Sequence, residues 1–289
     1  MIFPTLYKRT STGATQIWTI EVKDNTYFTK SGQLNGKIQT SKPTICVAMN
    51  VGRANEKTPE QQALIEAQAK YDKQLKSKYH VNIGDVDVIK FISPTLAQLP
   101  KKRTKPIVFP AFIQTKYNGV CCISDKEFGT RTRTGEIFYN IKHIYRELKQ
   151  LLVENPDIVL HGELFNYGMR RNLNQLVELV AVTRKEKDLT PELIKASEQV
   201  VEYWIYDGYI KGRQDEPYSK RIKDIQDRIK GLKYIKPAPT SIVHDMEGIE
   251  KFFEESLADG QEGAIVKMMS MPYVNKRTSD ILKYKEGES

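Results

Sequence analysis

A chain of 289 residues exceeds what one ordinary core accommodates and points to two domains. Its 39% hydrophobic and 9% aromatic content excludes a disordered chain, and no apolar run approaches the roughly 18 residues of a membrane-spanning helix. The net charge of +9 favours a polyanionic partner, because clustered Lys and Arg release counterions when they neutralise phosphates.

Three cysteines, Cys46, Cys121 and Cys122, are an odd number and two are adjacent, which argues against a disulfide framework and for a reducing compartment. Met1-Ile2-Phe3-Pro4 lacks the charged region and apolar stretch of a secretion signal, so an intracellular protein is expected. His80, His143, His161 and His244 show no zinc-like spacing, and no structural metal is assigned.

In chain order, Ile17–Val22, Tyr27-Phe28-Thr29 and 45–49 are strand-like, with turn residues at 23–25 and 31–36. A helix starts at Thr58-Pro59-Glu60-Gln61, with Thr58 as N-cap and Gln61 closing a capping box. Leu64, Ala67, Tyr71, Leu75 and Tyr79 give it one apolar face. Residues 1–92 thus read as an accessory domain of β-sheet plus helix. Between 93 and 110, four prolines exclude a long regular element, so Lys101-Lys102-Arg103-Thr104-Lys105 belongs to a linker or to a strap over a surface.

Further on, strands are expected at 108–115, 119–124, 158–165, 201–206, 241–244, 262–268 and 281–285. Helices are expected at 140–154, 172–185, 190–199, 219–230 and 247–258, with Asp245 capping the last and Gly260 just past its end. Without a regular βαβ period, this is an α+β fold of antiparallel sheets with helices packed outside.

The stretch Phe112–Gly119 is an apolar lead-in that ends on Lys116 and turns on a glycine. A lysine is a covalent nucleophile only as the free amine, and at neutral pH roughly one in a thousand ordinary lysines has that form. Lys116 therefore needs cationic neighbours. The spacing alone says little: 32 lysines and 17 glycines give about two chance matches to Lys-x-x-Gly, and Lys126-Glu127-Phe128-Gly129 is a second.

Other stretches add chemistry. Glu163 lies in the apolar run Leu160–Phe165, and Glu262 lies between Gly260 and Gly263. Acids so placed hold a metal, a sugar hydroxyl or a cation, or close a strand-end salt bridge. Ile281-Leu282-Lys283-Tyr284-Lys285 alternates with period two, putting Lys283 and Lys285 on one face, as a phosphate clamp or as a solvated strand edge. Beside Lys116 they would favour the free amine by like-charge repulsion.

Taken in order, Lys116-Tyr117-Asn118-Gly119, Thr132–Glu136, His161-Gly162-Glu163-Leu164, Tyr203–Asp207, Glu262–Lys267 and Leu282-Lys283-Tyr284-Lys285 resemble the collinear motifs of the covalent nucleotidyltransferases, and of these the ATP-dependent DNA ligases. The resemblance covers about 93 to 285 and selects Lys116 over Lys126. It implies that 93–289 is an ATP-grasp-like nucleotidyltransferase (adenylation) domain. In that family the lysine takes AMP from ATP, AMP passes to the 5′-phosphate of nicked double-stranded DNA, and the 3′-hydroxyl displaces it. This implies a role in DNA replication, repair or recombination.

The resemblance also implies the site. Gln114 with Thr115 beside it would read the adenine amine, Tyr206 would stack on the base, and Glu163 and Arg133 would hold the ribose. Glu262 would bind Mg²⁺, and Lys267, Lys283 and Lys285 would contact the phosphates. Two positions depart from the pattern: Asn118 stands for the usual aspartate and Cys121 for the usual arginine. The family continues into an OB-fold after the last motif, so that domain is expected elsewhere, on the rest of a longer chain or on a second subunit. An RNA ligase, and a non-catalytic DNA-binding subunit with a degenerate fold, are the alternatives. Trp18 and Gly52-Arg53 resemble small WGR-type nucleic-acid modules, which implies DNA binding, protein contact or stabilisation for 1–92.

Overall fold

A computed structural model of the chain describes residues 1–181 and 186–287. These fall into two compact units that divide between Lys90 and Phe91.

The first unit contains β1 (Leu6–Arg9), β2 (Thr15–Lys23), β3 (Thr26–Gln33), β4 (Ile38–Thr40), β5 (Thr44–Ile45) and α1 (Pro59–Lys76). The strands pair in the order β1-β2-β3-β4, with β5 also on β3. Alternation along β2 sends Trp18, Ile20 and Val22 to one face, where Leu6, Tyr27 and Tyr71 close the core. Thr58 and Gln61 form the capping box that starts α1. Ala67, Tyr71, Leu75 and Tyr79 meet the core as expected, but at the start of α1 Ala63 is buried in place of Leu64, which is 40% exposed. Small alanines let the helix approach the sheet, and the bulkier leucine takes the solvent side. Of the third expected strand, 45–49, only Ile45 joins the sheet, opposite Thr26; Val47 is exposed, and Met49 bridges to Lys57 instead.

The second unit contains β6 (Leu96–Gln98), β7 (Ala111–Lys116), β8 (Val120–Asp125), β9 (Gly129–Thr132), α2 (Lys142–Glu154), β10 (Ile158–Phe165), α3 (Leu173–Val180), α4 (Pro191–Val200), β11 (Glu202–Ile210), α5 (Tyr218–Ile229), β12 (Ile235–Pro237), β13 (Ser241–Val243), α6 (Met246–Ala258), β14 (Gly263–Met268) and β15 (Arg277–Lys285). They build two five-stranded sheets, β12-β11-β10-β8-β9 and β13-β7-β14-β15-β6. Pairing is antiparallel except at β11–β12 and β6–β15, so both sheets are mixed rather than purely antiparallel. Ile144, Leu148, Leu176 and Ile225 pack helices on the first sheet, and Ile222, Tyr218 and Ile249 pack helices on the second, so α5 serves both cores.

The stretch expected as a linker or a strap is a strap bound in place. Thr95 Oγ1 donates to Val274 O at 2.6 Å and accepts from Val274 N at 3.1 Å, and β6 then pairs with β15. Arg103 donates to Ser279 O. The helix expected at 172–185 ends at Val180, where Ala181 takes φ 54°; residues 182–185 of that expectation lie outside the described ones. No helix of the described residues is long and apolar enough to cross a membrane.

Candidate active site

Both sheets of the second unit contribute side chains to one cleft of about 210 Å³. Gln114, Thr115 and Lys116 line it from β7, Glu163 from β10 and Tyr206 from β11; Arg133, Lys267 and Lys283 complete its polar wall.

The nucleophile's turn is shaped by glycine. A Cβ on Gly119 would stand 2.5 Å from Leu164 O and 2.6 Å from Glu163 Cγ, so only glycine lets the turn after Lys116 close against β10. On the other flank of β7, Glu262 N donates to Lys116 O at 3.2 Å, and the Glu262 carboxylate pairs with the Lys116 ammonium. The direct charged partner of Lys116 is therefore an anion, not the cations expected for it. The reason is strand order: β14 lies between β7 and β15, with Gly263 opposite both Lys116 and Lys285. Two strand spacings, about 10 Å, separate those backbones.

Glu163 is enclosed. Burial pushes its carboxyl up to about 8, against the opposing pull of Lys116, a hydrogen bond from Tyr206 and the charge of Arg133. Tyr206 donates to Glu163 Oε2 at 3.1 Å, and its ring faces the Lys267 ammonium at 4.9 Å.

Lys267 does not stand level with Lys116 in the sheet. In the β14–β7 register it opposes Phe112, whereas Gly263 opposes Lys116, so about 13 Å of strand separates the two levels. Its Nζ donates to Tyr206 O at 2.6 Å, and burial pushes the ammonium down to about 8, with Asp207 opposing the shift. Gln114 pairs with Ile265 midway between those levels and shares the Tyr218 hydroxyl with Lys267. It is 1% exposed and donates to Thr240 Oγ1 at 2.8 Å and Tyr218 Oη at 3.0 Å, but its carbonyl Oε1 is buried with no hydrogen-bond partner among the described residues. A buried acceptor left unpaired is one that a ligand can satisfy.

The two departures acquire distinct local meanings. Asn118 Nδ2 donates to Arg170 O at 3.0 Å, a bond that an aspartate could not make. Arg170 Nε then donates to Asp259 O at 2.7 Å, just ahead of Glu262, so the amide ties the nucleophile's turn to the segment carrying its partner. Cys121 stands 3.6 Å (Sγ) from His161 Nε2, and burial pushes its thiol well above the ordinary range, so it brings no charge in place of an arginine. Arg133 is the arginine among the residues lining the cleft.

Asp207 was not singled out as a site residue. It is 1% exposed, accepts from Gly208 N at 2.7 Å and Arg221 at 3.1 Å, and lies 3.8 Å from Lys267. Arg221, 2% exposed, also donates to Glu216 O and Met271 O. The one sequence signal for this pair is an aspartate just past the expected strand 201–206, which the structure extends to Ile210.

Among the described residues no group of three or more His, Cys, Asp or Glu side chains could hold a metal ion. Glu262 is a single, half-exposed carboxylate at the cleft's edge, which suits an ion that takes most of its ligands from water and phosphate, as Mg²⁺ does.

The family profile described as ATP dependent DNA ligase domain matches residues 94–285. The chain belongs to this family. Among relatives of the ligase-domain chain is a DNA ligase of African swine fever virus (isolate Tick/South Africa/Pretoriuskop Pr4/1996), 26% identical over 273 residues, which cover 89% of this chain and 61% of that protein. The chain thus spans about three fifths of the length of the curated relatives it matches. In fold it is similar to the ATP-dependent DNA ligase of bacteriophage T7 in complex with ATP (TM-score 0.53, 16% identity, 70% of each chain). It is also similar to the Chlorella virus DNA ligase-adenylate (TM-score 0.51, 18% identity, 67% of this chain and 69% of that one).

Proposed function

We propose that this ligase-domain chain transfers AMP from ATP, through Lys116, to the 5′-phosphate of nicked duplex DNA and so prepares the nick for sealing. The observation that carries this reading is a single cleft lined by the Lys116 amine, the enclosed Glu163 carboxyl and the unpaired Gln114 carbonyl.

In the first step the Lys116 amine, released from Glu262 and from its proton, attacks the α-phosphorus. A P–N bond forms, the bond to pyrophosphate breaks, and AMP stays on the enzyme as a phosphoramidate. Gln114 Oε1 accepts from the adenine amine, where guanine would present a second acceptor and leave both unpaired. Tyr206 packs on the base, and Glu163 and Arg133 hold ribose hydroxyls and neighbouring oxygens. Lys283 and Lys285 balance phosphate charge from β15. Lys267, at the base end, holds Tyr206 in place through its carbonyl rather than contacting phosphate. Glu262 would hold Mg²⁺, which when bound neutralises phosphate charge. AMP then moves to the 5′-phosphate, making it a good leaving group, and the 3′-hydroxyl displaces AMP.

Intact mass tests the reading. Wild type incubated with ATP and Mg²⁺ should gain one AMP, whereas Lys116→Ala with ATP, or wild type with GTP, should gain nothing. AMP on the Lys116→Ala protein, or none on wild type, would sink it. Chasing the labelled protein with nicked DNA and with an all-RNA nick then tests the acceptor, with discharge on DNA expected.

A further inference from the structure

The Tyr206 hydroxyl that donates to Glu163 has a second neighbour. It stands 3.2 Å from Nε2 of His161, and the other ring nitrogen, Nδ1, stands 3.3 Å from the hydroxyl of Tyr273. The two members farthest from Glu163 are buried, His161 at 3% and Tyr273 at 2% exposure, and His161 meets both tyrosines edge to face. The four groups form one hydrogen-bonded row from the cleft into the core.

A neutral imidazole has one N–H and one lone pair, and each hydroxyl has one proton. The row can therefore run end to end in either of two directions. With Glu163 ionised, Tyr273 donates to Nδ1, Nε2–H donates to Tyr206, and Tyr206 donates to the carboxylate. With Glu163 protonated, its O–H donates to Tyr206, Tyr206 donates to Nε2, and Nδ1–H donates to Tyr273. Between them Glu163 gains one proton from solvent, the imidazole proton changes from Nε2 to Nδ1, and the two hydroxyls turn while each keeps its own proton.

We propose that His161 is a positioning residue that fixes the orientation and proton state of Glu163 through Tyr206, the row Glu163–Tyr206–His161–Tyr273 reversing as a unit when Glu163 gains or loses its proton. Its consequence for the reaction rests on the reading of the cleft as an ATP site; the row itself rests on the geometry alone. Burial lowers His161 to about 4, so the ring stays neutral in both arrangements. Glu163, at about 8, sets where the reversal falls. The charged and titratable groups facing Glu163 are Lys116 from β7, Glu262 ahead of β14, Arg133 after β9, Cys121 and Cys122 from β8 and Tyr206 from β11. Those facing His161 are Asp207 and Tyr206 from β11, Lys267 from β14, Cys121 and Tyr273.

The first test needs no activity. In imidazole ¹H–¹⁵N spectra of the full ligand-free chain, the His161 signals are those lost in His161→Gln. They should show the Nδ1–H tautomer at low pH and the Nε2–H tautomer at high pH, crossing near 8. One tautomer throughout would overturn the proposal. The second test is kinetic. His161→Phe leaves Tyr206 without its donor and the Glu163 carboxylate less well stabilised, so the inflection in the pH profile of self-adenylation should move upward. At pH 7.5 kcat/KM for ATP should fall about tenfold, the scale of one lost hydrogen bond, and fall less for 2′-deoxyATP and 3′-deoxyATP. Equal losses for all three nucleotides with an unmoved inflection would reduce His161 to packing and overturn the proposal. Failure of wild type to take AMP would instead overturn the ATP reading, and the spectra would still decide the row.

Discussion

Enclosing Glu163 makes its charge a cost to the fold. In the unfolded chain a glutamate releases its proton near 4.3, whereas in the cleft it holds it to about 8. Between those values the native state binds a proton that the unfolded chain has given up. Its contribution is therefore complete below about 4.3 and is lost as pH rises through 8. Glu163→Gln should remove that loss: the melting temperature of the variant, relative to wild type, should rise from pH 5 to pH 9, by the equivalent of a few kcal/mol. The same difference at both values would mean that Glu163 is ionised throughout. His161 acts in the opposite sense, its contribution fading on the acid side as pH falls through about 4. At this scale the convergence of Lys116, Glu163 and Glu262 was legible in the order of the motifs and not in glycine spacing, which fits Lys126 as well. The depth of Lys267 was not, since which residue it opposes depends on the β14–β7 register. Asp207 and Arg221 were hidden because burial alone distinguishes them from any surface ion pair.

The elements most readily read were those with a period. The capping box of α1 and the Asp245 cap of α6 are where the residues predict them, because side-chain capping is decided within four residues. The short strands β6, β9 and β12 were missed: three or four residues carry no periodicity, and β6 and β12 exist through parallel pairing with distant partners. The approach to β12 has its own fastening, since the Glu147 carboxylate of α2 accepts from the amides of Lys233, Tyr234 and Ile235 at 2.7 to 3.1 Å. Bonds to a charged acceptor are among the stronger ones, so Glu147→Ala should cost about 2 kcal/mol and lower the melting temperature by roughly 4–8 °C. Glu154→Ala removes a single exposed bond from Gln150 on the same helix and should leave the melting temperature within about 2 °C. If the two variants melt together, those amides are equally well served by water.

At the scale of the whole molecule, the two units divide charge and chemistry unequally. Each has its own buried core, and every residue lining the cleft, from Thr95 to Lys283, belongs to the second. Residues 1–90 hold 13 Lys and Arg against 8 Asp and Glu, while residues 91–289 hold 32 against 28, so more than half of the net charge lies in under a third of the chain. Nothing in the first unit's composition suggests catalysis, but an excess of cations is what a phosphate backbone selects. A fragment starting at Phe91 should therefore take AMP from ATP with the rate and KM of the full chain, once its thermal unfolding shows it to be folded. Its affinity for nicked DNA should be lower, and the plot of log affinity against log salt should be flatter, because fewer counterions are released on binding. A folded fragment that no longer takes AMP would show that residues 1–90 complete the nucleotide site. An unchanged salt slope would show that their charge serves solubility, leaving the phosphate contacts to the basic residues of the second unit.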